Sequence, residues 1–450
     1  MTLPPKPESR PAKVSLWRYA KLFRQDILSA QPARLYRAWM AEFKTPFFRS
    51  YLINQPDLIQ DVLKTRPDDY PKSNRIGEGL RPLLGNSVFL TNGETWKRQR
   101  RIIDPAFEGG RLRETFPAIW DAAEAAAARL APHDGEPLEA EAQTSHAAAD
   151  VIFRTLFSIP IEHHMAREVF DEFKTYQRSQ PILNIAAFVP LPRWLPRLFR
   201  QDTKRSAAKI RQLITALTAE RMEAIKAGTA PDDLATKIMT TPDPEDGSTF
   251  TTEEMVDQVA IFFLAGHETS ASALAWAMYL VATHPDWQDR LAKEAQVIDQ
   301  CDFAVMGQLR QSRDVFREAL RLYPPVPMMV REASCPATFR DRQVARGAQV
   351  VISPWHLHRH ERLWDNPDGF DPARWHSENG KKCQREAYLP FSAGARVCPG
   401  AGFAMVEGPL ILSRILRDYR IEVVGEKPPV PVAHLTVRSK DGILLRFVRR

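Results

Sequence analysis

Cys398 sits in the run FSAGARVCPG, residues 391–400, and a helix-forming stretch, AGFAMVEGPLILSRIL, follows at once. A thiol at a helix N-terminus faces unpaired backbone N–H groups and the positive end of the helix dipole, which lowers its pKa and favours the thiolate. Arg396 adds a cation two residues earlier, and Gly394 and Gly400 let backbone approach where a side chain would intrude. Such a thiolate suits a metal ligand or a nucleophile; an ordinary buried cysteine is the plain alternative. Structural zinc wants several Cys or His at short spacing, and the nearest cysteine, Cys383, is fifteen residues away. The run His356-Leu-His358-Arg-His360 could put three imidazoles on one strand face. Arg359, Glu361 and Arg362 crowd it, so a turn near the surface is expected instead. A cysteine protease would need a base beside Cys398, and the sequence nominates none. One thiolate without protein companions points to a metal held mainly by something else, such as a porphyrin.

A second group lies in a long apolar segment. Val259–Ala265 (VAIFFLA) is continuously apolar and Ala271–Ala282 nearly so, with Gly266-His267-Glu268-Thr269-Ser270 between them. An acid and two hydroxyls inside an apolar helix are costly unless hydrogen-bonded or facing a wet cavity. Gly266 weakens the helix further, and Thr269 can bond back to the carbonyl of Ala265 and bend it. Local rules broken inside a strong element mark function; a solvent-facing polar stripe is the alternative. A third pair, Glu318-x-x-Arg321, shares one helix face, and Arg374 in FDPARW (370–375) could join it in a buried network.

The elements that must position these groups are mostly helical. The segment from Glu94 to about Thr240 reads as helix, including the Ala-rich stretches Asp121–Leu130 and Glu139–Ala149, with a turn at His133-Asp134-Gly135. Thr251-x-x-Glu254 is a capping box that starts a helix running to about Thr283. A further helix covers roughly Ala304–Leu322 and stops at Pro324-Pro325. Strands are expected at Phe48–Ile53, within Val326–Val351, and at Leu435–Val437 and Gly442–Val448. Pro181–Pro196 holds four prolines among apolar residues, so it reads as an apolar loop. Leu16, Trp17, Tyr19, Leu22, Phe23 and Ile27 form an amphipathic helix that could skim a membrane; packing on the domain is the expectation.

The chain has 450 residues, 44% hydrophobic and 26% charged, enough for a large core. That composition excludes disorder, collagen-like repeats and a disulfide scaffold. Length alone would allow about three domains, but no repeat or linker divides the chain. The fold class is therefore mainly α with a smaller β portion (α+β), in a single catalytic domain over 1–450 with residues 1–11 as a flexible tail. Four cysteines, none in a CxxC pair, fit a reducing, cytoplasmic setting. No signal peptide or transmembrane anchor is seen. The net charge of +7 is modest for this size and reads first as a slightly basic surface, with a basic docking face for an acidic partner as the alternative; no basic run suits nucleic acid.

Taken together, these motifs resemble the cytochrome P450 family of haem-thiolate monooxygenases, soluble bacterial type. FSAGARVCPG fits the family's cysteine loop at every fixed position, AGHETS its oxygen-binding helix, Glu318–Arg321 its ExxR pair, Phe370–Trp375 its meander, and Trp96–Arg100 (WKRQR) its WxxxR pattern. The resemblance implies haem b (iron protoporphyrin IX) as cofactor and dioxygen as co-substrate. It implies Cys398 as the proximal metal ligand, with Phe391 beside it. Trp96, Arg100, Arg331 and Arg396 would meet the propionates, and Gly394 and Gly400 would shape the cofactor loop. Glu268 and Thr269 would be catalytic, guiding protons toward dioxygen, with Gly266 leaving room for oxygen and for a helix distortion. Glu318, Arg321 and Arg374 would be structural. The B–C region Ile76–Leu90 and the Pro181–Pro196 loop would form the substrate channel and its lid.

The intact acid–alcohol pair implies a dioxygen-driven enzyme that hydroxylates or epoxidises a lipophilic small molecule. A peroxide-driven peroxygenase and a non-catalytic haem sensor are the alternatives. Only 52 residues follow Cys398, so electrons must come from a separate partner, expected to be a ferredoxin with an NAD(P)H-dependent ferredoxin reductase. A monomer is the family's usual state. A carboxylate-bearing substrate would need a basic anchor in the pocket, and the sequence does not say which arginine would reach.

Overall fold

The computed structural model describes residues 3–45, 48–108, 110–179 and 201–450. The expected lid at Pro181–Pro196 lies outside the described residues. Following a first helix, α1 (Leu16–Gln25), the strands β1 (Met40–Lys44) and β2 (Arg49–Ile53) form a hairpin. Helices α2 (Gly93–Ile103) and α3 (Phe116–Ala128) lead to a short strand, β3 (Pro137–Glu139), and to α4 (Ala140–Phe157). Then come α5 (His164–Ser179), α6 (Gln201–Lys226), α7 (Thr252–Ala282) and α8 (Arg310–Leu322). Strands β4 (Met329–Glu332) and β5 (Gln349–Ile352) precede α9 (Ala401–Asp418). The chain closes with β6 (Tyr419–Val423), β7 (Pro431–Ala433), β8 (Val437–Ser439) and β9 (Leu444–Arg449).

The α+β expectation holds: helices supply the main core, and the sheets are small. One sheet has the order β1–β2–β5–β4, with β2 and β5 parallel and in register from Ser50 opposite Gln349 to Ile53 opposite Ile352. A second is β3–β9–β6, antiparallel throughout. The hairpin β7–β8 stands apart from both.

Helix α7 is the axis of the molecule. Thr251 caps it, and both halves of the capping box form: the Glu254 N–H donates to Thr251 Oγ1 (3.2 Å) and the Thr251 N–H to Glu254 Oε2 (2.9 Å). Its apolar residues are buried nearly all round, so burial of that surface, about 25 cal/mol per Å², holds it. Against it pack α4 along its length, and α6, α8 and α9.

Four expectations need correction. The helix foreseen over Ala304–Leu322 is broken: Phe303–Gly307 is a 3-10 turn, and α8 begins only at Arg310. Asp302 caps that turn on the Ala304 N–H (2.9 Å), which starts a separate element. The strand foreseen at Leu435–Val437 is mainly the bend between β7 and β8. The tail expected to be flexible is tied down over its described part: Tyr323 Oη donates to the Pro5 carbonyl (2.9 Å), Lys6 pairs with Asp368, and Arg10 bridges to Pro32. Finally, the His356–His360 run is no surface turn. It follows β5 as the short helix Pro354–Leu357 and a turn, and His356, His358, Arg359 and His360 are all buried. Arg359 lies over the Trp355 ring at 4.0 Å, and aromatic faces take up the charge that had suggested solvent.

Candidate functional site

A cavity of about 900 Å³ opens between α7, the start of α9, the β1–β2–β5–β4 sheet and the loop before α2. That is at the upper end of the size of small-molecule sites. Cys398 lies on its floor, three residues before α9. Its backbone N–H donates to the Phe391 carbonyl (2.9 Å), closing the loop FSAGARVC so that the thiol points into the cavity. Gly394 is required there: its φ is +69°, and a Cβ would meet the Leu63 carbonyl oxygen at 2.0 Å. Gly400 is different, with φ −81°; a Cβ would come to 3.9 Å from Cys398 Sγ, on the thiol's own side. The thiol is accessible to the cavity yet deep inside the molecule. Burial pushes its pKa up and outweighs the Gly400 N–H and Arg100, which pull it down. The lowered pKa expected from the helix start is thus reversed in the protein alone.

Above the floor stands a ring of cations. Lys72, Arg100, Arg331 and Arg396 all border the cavity, with Trp96 among them. The Trp96 ring lies under Arg396 (4.8 Å), Lys72 (5.8 Å) and Arg100 (6.0 Å). Arg100 Nη1 donates to the Val397 carbonyl (2.8 Å), which pins α2 to the cysteine loop, and Arg396 Nη1 donates to that of Pro67 (2.6 Å), which ties the loop to the segment before Lys72. Arg396 Nε is buried without a hydrogen-bond partner among the described residues. Burial pushes Lys72 down to about 6, helped by Arg331, Arg396 and Arg100, and pushes Arg331 down to about 10, helped by Arg396. Like charges gathered in a buried place need anions to repay the cost. Arg100 already pairs with Asp104 (2.7 Å) and Arg396 faces Asp68 (3.8 Å), two anions for four cations; with a lone cavity-facing thiol below, that surplus fits a flat dianionic group with a metal at its centre, as haem is. Among the described residues no group of three or more His, Cys, Asp or Glu could hold a metal by itself.

Helix α7 brings Gly266, Glu268, Thr269 and Ser270 to the same cavity, and His267, Glu268 and Ser270 each grip a different element. His267 Nε2 meets Ser145 Oγ of α4 at 2.6 Å. Glu268 Oε1 accepts from Thr436 Oγ1 at 2.6 Å and faces Arg438 Nη2 at 3.0 Å, both from the β7–β8 hairpin. Thr269 Oγ1 donates to the Ala265 carbonyl at 2.6 Å, as the spacing predicted. Ser270 Oγ donates to Glu407 Oε1 of α9. Nonetheless α7 is continuous through Gly266–Ser270, against the expected distortion. Gly266 borders the cavity, but the space its side chain would fill is taken by Ile152 of α4, 2.6 Å from a Cβ. Its smallness serves helix packing.

Behind the cysteine loop, the expected buried network is complete. Glu318 accepts from Arg321 Nη2 and Nε (2.8 and 2.9 Å), from Arg374 Nε (2.9 Å) and from the Asp371 N–H (3.0 Å). Burial pushes this carboxyl up, but Arg321 and Arg374 outweigh it and hold it below its ordinary range.

Sequence reasoning brought Trp96, Arg100, Gly266, Glu268, Thr269, Arg331, Phe391, Gly394, Arg396, Cys398 and Gly400 forward, and the structure gathers all but Gly394 on the cavity wall; Gly394 shapes the loop behind it. It missed Lys72, Glu407, Thr436 and Arg438. Lys72 gives no local signal, because its partners are 24 to 324 residues distant in the chain. A signal for Glu407 was present: an acid in the apolar run of α9.

Comparison with known proteins accords with this geometry. The cytochrome P450 family model matches residues 34–446. The cyclooctat-9-en-7-ol 5-monooxygenase of Streptomyces melanosporofaciens is 32% identical over 422 residues, covering 91% of this chain and 87% of its own. Cytochrome P450 4A14 of Rattus norvegicus is 30% identical over 431 residues, covering 91% of this chain and 82% of its own. The crystal structure of the cytochrome P450DA heme domain superposes with a TM-score of 0.80 over 100% of this chain and 98% of that one. At 22% identity, that likeness is one of fold.

Proposed function

The chain belongs to the cytochrome P450 family of monooxygenases, and on that premise we propose that it is a dioxygen-driven enzyme, one catalytic unit over 1–450, that hydroxylates or epoxidises a lipophilic small molecule. The observation that carries this reading is the lone Cys398 thiol on the floor of a cavity rimmed by four cations. Bound here, haem b supplies the iron that activates dioxygen for insertion of one oxygen atom. Cys398 is its protein ligand, and Phe391 covers the loop. Lys72, Trp96, Arg100, Arg331 and Arg396 hold the propionates.

On the other side, Thr269 and Glu268 handle protons. Thr269 Oγ1 keeps its own proton on the Ala265 carbonyl until a stronger acceptor is present. Both contacts of Glu268 fall on Oε1, which leaves Oε2 to exchange a proton. The apolar wall from Phe107, Ile261, Phe262 and Leu264 excludes water and favours a lipophilic substrate.

Electrons come from a separate partner, a ferredoxin with its NAD(P)H-dependent reductase. The net charge of +7 favours an acidic protein of that kind. All four cysteines are free, which suits the cytoplasm, and among the described residues no helix is long and apolar enough to cross a membrane.

The test is the carbon monoxide difference spectrum of the dithionite-reduced protein. A strongly red-shifted Soret band, lost in Cys398→Ala, is expected. Absence of haem, or a band of the histidine-ligated type in folded protein, would refute the assignment. Turnover that persists with peroxide and no reductase would place the enzyme among peroxygenases instead.

A further inference from the structure

Helix α1 has a side that the cavity does not use. Tyr19 and Phe23 turn inward: their rings meet at 5.6 Å, Tyr19 stacks on Phe43 of β1 at 6.4 Å, and all three line the cavity. The outer side differs. Trp17 is 83% exposed, the most of any large apolar side chain among the described residues. Lys21 and Arg24 follow it at i+4 and i+7, so the three share one stripe of the helix, and all are exposed. Arg24 also lines the cavity, so the stripe reaches its rim.

The charge around Trp17 is of one sign. Lys13, Arg18, Lys21 and Arg24 are exposed, no acidic residue occurs from Pro11 to Gln25, and among the described residues no carboxylate pairs with any of the four. Asp26, which ends the helix, is buried and accepts from the N–H groups of Leu28 (3.0 Å), Ser29 (2.8 Å) and Ala433 (2.8 Å). Across the Tyr19–Phe43 contact, Lys44 and Arg49 share a single acid, Glu42 (3.9 and 3.7 Å). An indole amid uncompensated cations has both parts of a membrane-surface contact. The ring suits the level of the lipid headgroups, and each cation draws on the negative potential of anionic lipid. Trp17 is flanked by cations in place of the apolar residues that form the core of a protein interface, whereas a bilayer accepts a single ring at its surface.

We propose that the outer side of α1 docks on an anionic phospholipid bilayer, with Trp17 among the headgroups and Lys13, Arg18, Lys21 and Arg24 on the lipid phosphates. The contact is peripheral and electrostatic, and it sets the rim of the cavity at the lipid surface. Docking stands apart from the reading of the cavity as haem and substrate chamber. Only its benefit, passage of a lipophilic substrate from bilayer to cavity without crossing water, rests on that reading.

The experiment sediments the haem-loaded protein with vesicles of phosphatidylcholine, alone or mixed equally with phosphatidylglycerol. The mixed vesicles should bind it about tenfold or more tightly than the neutral ones, and about 1 M salt, with a screening length of about 3 Å, should remove the difference. The triple change Lys13→Gln, Arg18→Gln and Lys21→Gln should weaken binding to the mixed vesicles about a hundredfold. None of the three lines the cavity, so the variant should keep the carbon monoxide band of the unmodified protein. Brominated phosphatidylcholine in the mixture should quench tryptophan emission of the unmodified protein, and Trp17→Phe should abolish that quenching. Equal binding to neutral and mixed vesicles would overturn the proposal, as would a triple variant that binds unchanged. Poly-glutamate stands for an acidic protein: if it binds as tightly as the mixed vesicles while brominated lipid quenches nothing, the lipid assignment falls. Should the triple variant not fold, salt dependence and quenching on the unmodified protein decide. Vesicle binding without the thiolate band would sink the haem assignment alone.

Discussion

Arg438 places Nη2 3.0 Å from Glu268 Oε1 and Nε 3.3 Å from Glu141 Oε1, so one cation from the C-terminal hairpin is shared between two acids on neighbouring helices. Glu268 is buried, whereas Arg438 is about one-third exposed. The pair therefore joins the acid of the α7 polar run to solvent. Replacing Arg438 by Gln removes the counter-charge from this buried carboxylate and its link to the surface. Glu268→Gln removes the exchangeable proton itself, and its dioxygen-driven turnover should fall about a hundredfold with little change in substrate affinity. Arg438→Gln should lower the product formed per NAD(P)H, raise hydrogen peroxide release and enlarge the solvent isotope effect. Unchanged coupling in both variants would remove Glu268 from proton transfer.

Glu141 gives that network a pH response. Burial pushes its carboxyl up to about 7 against the opposing pull of Arg438. Below that value it is neutral and leaves Arg438 to Glu268; above it, a second carboxylate competes for the same guanidinium. Coupling should change across neutral pH in the unmodified enzyme and flatten over that interval in Glu141→Gln. Peroxide yield measured from pH 6 to pH 8 on both proteins decides it.

Glu407 carries a similar shift for another reason. It is buried, hydrogen-bonded by Ser270, and pushed up by burial to about 7. Folded protein thus favours the neutral acid. Its contribution to stability is full below the ordinary carboxyl range near 4.5 and is lost as pH rises to about 7. Over that interval the unmodified protein should lose on the order of 3 kcal/mol relative to Glu407→Gln. Melting temperatures of the two across pH 4.5 to 8 should converge at the acid end; parallel curves would mean that Glu407 is ionised in the fold throughout.

The groups that sequence made legible share a feature: their chemistry is written in contiguous residues. Arg321 closes on Glu318 three positions away, Thr269 on Ala265 four away and the Cys398 N–H on Phe391 seven away, so spacing foretells contact. Helix α7 was legible from its capping box for the same reason. Arg438 and Lys72 were not, because their partners lie up to 297 and 324 residues distant, and only the fold brings them together. The His356–His360 run misled by local composition: its charged neighbour Arg359 finds aromatic faces, Trp355 and Tyr323, in place of water. The thiol of Cys398 misled by a local rule, since the helix-start effect is smaller than the burial that a closed cavity imposes.

Lys72 should act in opposite directions on the two forms of the protein. Burial, reinforced by Arg331, Arg396 and Arg100, lowers it to about 6. A lysine so shifted contributes stability above its ordinary range near 10.5, and this is lost as pH falls toward 6. At neutral pH it therefore burdens the haem-free fold. With propionates present its charge is used. Lys72→Met should raise the melting temperature of the haem-free protein by a few degrees and speed haem transfer to apomyoglobin about tenfold. A variant that is destabilised without haem and retains it normally would show that Lys72 serves packing alone.

Arg321 leaves no donor unused. Its five N–H groups reach Glu318 twice and the carbonyls of His358 (2.9 Å), Pro367 (2.6 Å) and Gly369 (2.8 Å), all in the interior. Lysine offers three donors from one point and cannot reproduce a planar fork. Arg321→Lys should therefore cost nearly as much as Arg321→Ala, and Glu318→Gln, which strands two buried guanidinium groups, about 3–5 kcal/mol. The carbonyls involved belong to the segment 358–369 that leads toward the cysteine loop, with the His358 ring taking the Leu389 N–H at 2.8 Å. Loss of the network should thus reach Cys398, weakening the red-shifted carbon monoxide band at temperatures below global unfolding. Denaturant melts followed in parallel by far-ultraviolet circular dichroism and by that band test the order; a band that survives until the helices unfold would confine the network to stability.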